Sequence, residues 1–436
     1  MLRMDSRIKP VVALHWEAFI ADLAEMIQVE SVRGAAADAA PFGSGPKQAL
    51  ALVAQMGQAY GFKTGIVNDA MAYVQWGDDD TDYLGIVGHL DVVAAGSGWH
   101  TPPFELTRHN GTLYGRGVLD NKGPIMACLY GMKLLCNMGF QPAKTIRLIF
   151  GSDEESGCAD VPLYLEHEAP PQFGFTPDGK YPVVYGERGI VNYALDTTLP
   201  AAAALGPIVG EQAKDHVPDQ LSTTLAGQVF KAIGKRAPTN APELGVNALT
   251  ELAKQIVAAK LGPEALQAYF AWIVTHLADQ HHGQGLDLAL EDADSGALIM
   301  TPYRLSKTAA GLRLGLAIRY PVSVSEATVT ARLQSSLPPQ TQLQVLRRLP
   351  GVMHDQTRPE IQTLSAVYGA VTGLNPTPVT TTGATYARVM PNILAFGPSF
   401  PGQKGIAHKQ DEWMTEDDLA KNMQIYMQSM LALTKG

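Results

Sequence analysis

Two apolar runs, YLGIVG at 83–88 and TIRLIF at 145–150, flank a segment of helical periodicity that starts at Lys122. Each run is too short for a helix and reads as a buried strand. Between them, KGPIMACLYGMKLLCNMGF sets Ile125, Cys128, Leu129, Met132 and Leu135 along one helical face. Strand, helix, strand at this spacing predicts an α/β layer with parallel neighbours. Ligands of such layers settle in the crevice beyond the carboxyl ends of the strands. The polar clusters HLD and GSDEESG follow the two strands directly, where that rule places the chemistry-bearing residues.

A chain of 436 residues outgrows a single core. Helical spacing recurs at 13–28 and 49–62, and from about residue 190 the pattern changes. VNYALDTT and GQVFKAI read as strands, ELGVNALTELAKQIVAA and PEALQAYFAWIVTHLA as helices, and GALIMTPYRLSKTAAGLRLGLAIRY as two strands around a polar turn. After 355 come a helix in RPEIQTLSAVYGAVTG, a strand in NILAFG and a last helix from Glu416 to Leu433, with Thr415 as its N-cap. The division expected is an α/β core formed by 1–189 and 354–436, interrupted by an α+β domain at 190–353.

With 46% hydrophobic and 17% charged residues the chain can build packed cores and does not resemble a disordered polyampholyte. Its net charge of -9 and lack of a Lys/Arg block argue against a nucleic-acid partner. Neither a signal-peptide pattern nor an eighteen-residue apolar span is present, so a cytoplasmic protein without a membrane partner is expected. Cys128, Cys136 and Cys158, odd in number and widely spaced, read as small buried residues.

In GHLDVV, His89 and Asp91 are two positions apart and can face one cavity, the imidazole as a cation ligand and the carboxylate behind it. Asp120, ahead of NKGP, can give one oxygen to each of two ions or cap the following helix. Glu154 and Glu155 point in different directions, so one can bind metal while the other takes a proton from water; a solvated acidic turn is the plainer alternative. Asp178 fits either a ligand or an Asp-Gly turn, and His408 either a ligand or a surface residue. Two imidazoles and three carboxylates beside a separate base make the nitrogen and oxygen set suited to zinc, manganese or cobalt.

GHLDVVAAGSGW, LYGRGVLDNKGP, GSDEESG, TPDGKYP and AHKQDEW, in this order, resemble the motifs of the M20 family of metallopeptidases, most closely its dipeptidase V branch. The resemblance implies a zinc-peptidase-like catalytic core with an inserted α+β lid. It implies two divalent ions bridged by Asp120, one completed by His89 and Asp178, the other by Glu155 and His408. Asp91 would orient His89 and Glu154 would serve as general base. By the same likeness Arg319 and the GATYAR segment from Gly383 to Arg388 would grip a substrate carboxylate, although a plain ion pair is an equal reading of either arginine.

One position departs from that pattern, because Pro238 stands where the family has an oxyanion-stabilising His. Proline offers neither a side-chain donor nor an N–H, and losing one such donor costs about 3 kcal/mol, roughly a hundredfold in rate. Asn240 or a His of the 281–282 pair could replace it, or the metals could carry more of the charge. The leading expectation is hydrolysis of dipeptides or short peptides with a free N-terminus. Alternatives are an N-acyl amino acid deacylase and a weakly active or noncatalytic metal-containing peptide-binding protein. The long insertion favours a monomer, with a homodimer also compatible.

Overall fold

The computed structural model describes residues 4–435. Two compact units emerge: residues 1–185, 354–379 and 383–436 form the first, and 186–353 with 380–382 form the second.

In the first unit, six strands lie in the order Lys63–Val67, Met71–Trp76, Thr145–Gly151, Tyr83–His89, Phe173–Thr176 and Ile393–Phe396, followed by Val183–Glu187, within which the first unit ends. The central pairs are parallel, with His89 opposite Gly151 and Ile86 opposite Phe175. Every residue of Tyr83–His89 and Thr145–Gly151 is buried, which explains why both read as continuous apolar runs rather than alternating ones. Leu84, Ile86, Leu148 and Phe150 face the main core, while Tyr83, Val87 and Ile149 join a second cluster on the other face.

The helix Lys122–Asn137 crosses between the two central strands and is buried nearly all round. Its apolar character therefore extends beyond the single face expected from spacing, as for a helix with no solvent side. Glu416–Leu433 packs against it, and Met423 and Met427 sit over Gly131. Thr415 caps that helix, accepting from the Asp418 amide at 3.1 Å.

Three details differ from the sequence reading. The segment at 13–28 is not one helix, since the chain breaks at His15 between Ile8–Leu14 and Trp16–Gln28. Asp120 does not cap the helix at Lys122; Asn121 holds that place and makes no side-chain cap bond. Short strands at Thr107–His109, Thr112–Tyr114 and Trp413–Thr415 form a small sheet too brief to leave a period in the sequence.

The second unit has an antiparallel sheet ordered Ile299–Lys307, Gly311–Tyr320, Gly189–Thr198 and Thr341–Leu349. Helices Ala248–Ala259, Glu264–Leu277 and Glu326–Ser335 contribute to its core. Asn247 caps the first of these, its side chain accepting from Leu249 N at 2.9 Å. No described helix in the chain is long and apolar enough to cross a membrane.

Candidate metal centre

Register brings the polar clusters together. His89 ends one central strand, GSDEESG follows its parallel neighbour, and Asp178 lies two residues past Phe173–Thr176. A Cβ on Gly88 would stand 2.5 Å from Asn121 Oδ1 and 2.9 Å from Ile125 Cβ. Glycine there lets the start of the helix press onto the strand end, carrying Asp120 to His89. Asn121 fastens the junction: its Oδ1 accepts from His89 N at 3.3 Å and its Nδ2 donates to Pro177 O at 2.6 Å.

Asp120 lies between two imidazoles. Its Oδ1 is 3.1 Å from His89 Nε2 and its Oδ2 is 3.0 Å from His408 Nε2. Asp178 Oδ2 approaches His89 Nε2 at 3.6 Å, and Glu155 Oε2 approaches His408 Nε2 at 2.9 Å. Ligand-type atoms of His89, Asp120 and Glu155, and of His89, Glu154 and Asp178, lie within 4.8 Å of one another. Six residues expected at a metal centre, His89, Asp120, Glu154, Glu155, Asp178 and His408, thus converge, with Asp91 directly behind them.

Asp91 behaves differently from the expectation of a carboxylate facing the cavity beside His89. The strand ends at His89, so strand alternation does not extend to Asp91. Its backbone carbonyl accepts from His89 Nδ1 at 2.8 Å, while its nearer carboxylate oxygen is 3.5 Å from the same nitrogen. The carboxylate instead accepts from the amides of Glu154 at 3.2 Å and Glu155 at 3.1 Å. Because a carbonyl only accepts, Nδ1 carries hydrogen and Nε2 is the nitrogen left to bind a proton or a metal.

Charge in this cluster is out of balance. Five carboxylates surround two imidazoles. Burial lifts Glu154 above the usual carboxylate range, reinforced by the charge on Asp178, and lifts Glu155 with help from Asp120. His89 rises despite burial because Asp120 and Asp91 hydrogen-bond it, and His408 is pushed up to about 11 against burial by Asp120 and Glu155. Asp120 is held low against burial by the His408 and His89 imidazoles. A site that lifts two of its carboxylates and raises both imidazoles is one that favours added positive charge. Nitrogen and oxygen donors in this arrangement fit divalent metal ions.

Asp160, to which sequence reasoning gave no role, and Tyr386, given one only as part of the GATYAR segment, brace the loop that carries Glu154. Asp160 Oδ2 accepts from Ser152 N at 2.8 Å, Asp153 N at 3.1 Å and the Tyr386 hydroxyl. The Tyr386 ring stands edge-on to His89 with centroids 6.4 Å apart. Tyr386 lay within the quoted GATYAR, but nothing in spacing links it to an aspartate 226 positions away.

The residues expected to bind substrate are placed in two groups. Arg388 donates to Gly383 O at 2.6 Å in the first unit. In the second, Arg319 donates to Thr382 O at 3.0 Å and Asn240 to Thr382 Oγ1 at 3.2 Å. Pro238 pairs across an antiparallel bridge with His216, whose Nδ1 is 2.9 Å from Asp215 Oδ1. His282 Nδ1 is held on Leu298 O at 2.8 Å.

A mixed sheet whose central strands run parallel, with a shared carboxylate between two imidazoles beyond their ends, is the architecture of a metal-dependent hydrolase. The chain belongs to the peptidase family M20/M25/M40, whose model matches residues 85–432. The Beta-Ala-Xaa dipeptidase of Lactobacillus delbrueckii subsp. lactis is 30% identical, over 99% of this chain and 99% of that protein. Among solved structures, the di-peptidase Dug1p of Saccharomyces cerevisiae superposes with a TM-score of 0.65 at 13% identity, covering 97% of this chain and 98% of its own. The Bacillus subtilis YXEP protein, described as a dinuclear metal binding peptidase from the M20 family, gives 0.54 at 11% identity, covering 96% and 100%.

Proposed function

We propose that this metallopeptidase hydrolyses the amide bond of dipeptides or short peptides with a free N-terminus. The observation that carries the reading is Asp120, whose two oxygens address two separate imidazoles. His89 and Asp178 on one side, and Glu155 and His408 on the other, would complete sites for two divalent ions, zinc being the proposed metal. When bound, such ions polarise a carbonyl and lower the pKa of water.

The chain's own groups do the rest. Glu154, lifted by burial and Asp178, is poised to take a proton from the attacking water and return it to the leaving amine, a transfer worth about 10²–10⁴-fold in rate. Asp91 fixes the tautomer of His89 and grips the Glu154 and Glu155 amides, so one residue sets both a ligand and the base. Arg388, Gly383, Arg319 and Asn240 are proposed to bind the substrate, with residues 186–353 acting as a lid domain. Three free cysteines agree with the reducing cytoplasm proposed for this chain, and a monomer is the proposed state.

The test is metal-free protein reloaded separately with zinc, manganese or cobalt, with amino-acid release from unblocked dipeptides followed by mass spectrometry. Metal-dependent release that is lost in Glu154→Gln supports the reading. Release only from N-acetyl amino acids would move the assignment to a deacylase, and metal and peptide binding without any product to a noncatalytic role.

A further inference from the structure

Glu412 is fully buried, four residues past His408, and its hydrogen bonds meet the proposed metal ligands only at the backbone of Asp120. Its position follows from strand pairing. Trp413–Thr415 runs antiparallel to Thr112–Tyr114, with Trp413 opposite Tyr114, and Glu412 O accepts from Gly115 N at 3.1 Å. The side chain is thereby directed into the loop between Tyr114 and the helix at Lys122. There Oε1 accepts from three backbone amides, Gly117 at 3.1 Å, Leu119 at 2.9 Å and Asp120 at 3.0 Å. Oε2 takes Arg116 Nη1 at 2.7 Å, and that guanidinium stacks on the Trp99 ring at 5.1 Å.

We infer that Glu412 is a positioning residue: it ties the His408 loop to the Asp120 loop by gripping the Asp120 backbone, and so sets the spacing at which the shared carboxylate meets both imidazoles. This inference rests on the metal assignment above. A purely structural ion pair would need only Arg116. The Oε1 contacts are what exceed that need, because three amides converging on one oxygen fix the peptide that carries Asp120. Groups that orient ligands from behind govern metal affinity by about 10–100-fold.

The experiment is a titration of metal-free protein with Co2+ alone, following the visible absorbance of the bound ion, beside a thermal melt as the folding control. In Glu412→Gln a single carbonyl oxygen must serve either Arg116 or the amides, so cobalt affinity is expected to fall about 10–100-fold in folded protein. In Arg116→Met the Oε1 grip survives, and affinity stays within about threefold even as the melting temperature drops. Glu412→Asp, which keeps the charge but is one methylene too short to hold both sets of donors, carries the same expectation as Glu412→Gln should the latter not fold. Wild-type affinity in a folded Glu412 variant overturns the inference, as does an equal loss in Arg116→Met. Failure of the wild type itself to take up cobalt would instead defeat the metal assignment.

Discussion

Gly151→Ala tests whether the Glu154 loop is held by the buried Tyr386–Asp160 pair. A Cβ at this position would lie 1.7 Å from the Tyr386 hydroxyl and 2.6 Å from Asp160 Oδ2, so no movement of one atom relieves it. Overpacking of a well-filled core costs about 1–3 kcal/mol, and losing a hydrogen bond to a charged group about 1.5–3 kcal/mol. The sum, roughly 2.5–6 kcal/mol, is a large part of the about 5–15 kcal/mol that holds a typical protein folded. Tyr386→Phe loses only the hydrogen bond and should cost about 1.5–3 kcal/mol. In the double variant that bond is lost once rather than twice, so the combined cost should fall short of the sum by about 1.5–3 kcal/mol. Urea unfolding of the four proteins at one fixed metal concentration measures the cycle. Additivity within about 0.5 kcal/mol, or a Gly151→Ala variant as stable as the parent, would refute the reasoning.

Other outcomes follow from the same geometry. Glu154→Gln should lower kcat about 10²–10⁴-fold while leaving metal content by atomic emission unchanged, because the side chain is assigned to the proton and not to a metal. Asp120→Asn places an amide nitrogen where an oxygen faced one of the two imidazoles, so the metal content should fall from two ions to one or none; full occupancy would remove the bridging assignment. In the second unit, burial opposes ionisation of Asp292, but the Ser295 amide and hydroxyl and the Ser323 hydroxyl and amide outweigh it and hold the carboxyl at about 2. Because this pKa is depressed, its contribution to stability is present above the ordinary carboxylate value near 4 and is lost as pH falls through about 2. Unfolding midpoints measured across the acid range should therefore converge with those of Asp292→Asn at the low end, and parallel curves would contradict the shift.

Much of the core was legible because its strands are buried on both faces. Tyr83–His89 and Thr145–Gly151 have no solvent side to interrupt their apolar runs, and the crossover helix carries an uninterrupted core signal. The clusters after these strands could be assigned to chemistry because parallel sheets place ligands at that end. Orientation was less legible. Strand alternation predicted that Asp91 would point beside His89, but the strand stops at His89, two residues before Asp91, and the carboxylate turns to the Glu154 and Glu155 amides. His15 separates two helices that share one apolar period, a break that hydrophobic spacing does not encode. Contacts such as Asp160 with Tyr386 depend on tertiary closure across 226 positions, for which a single sequence has no local signal.

The acidic residues of these motifs divide by partner rather than by position. Asp120, Glu155 and Asp178 turn their oxygens to imidazoles. Asp91, Asp160 and Glu412 turn theirs to the backbone amides of the loops that carry those groups. The second arrangement is physically favourable: a buried carboxylate can be satisfied by two or three N–H donors, and loop amides near a strand end otherwise lack partners. It also supplies stiffness, because one side chain crosslinks two loops that would be held only at their ends. Asp91 joins the His89 and Glu154 loops, and Glu412 joins the His408 and Asp120 loops. Glu155 and Asp120 in the proposed centre, and Glu154 beside them, are thus fixed through their backbone amides by acids outside the proposed ligand set, so their spacing can persist while the carboxylates that face the centre exchange protons for cations.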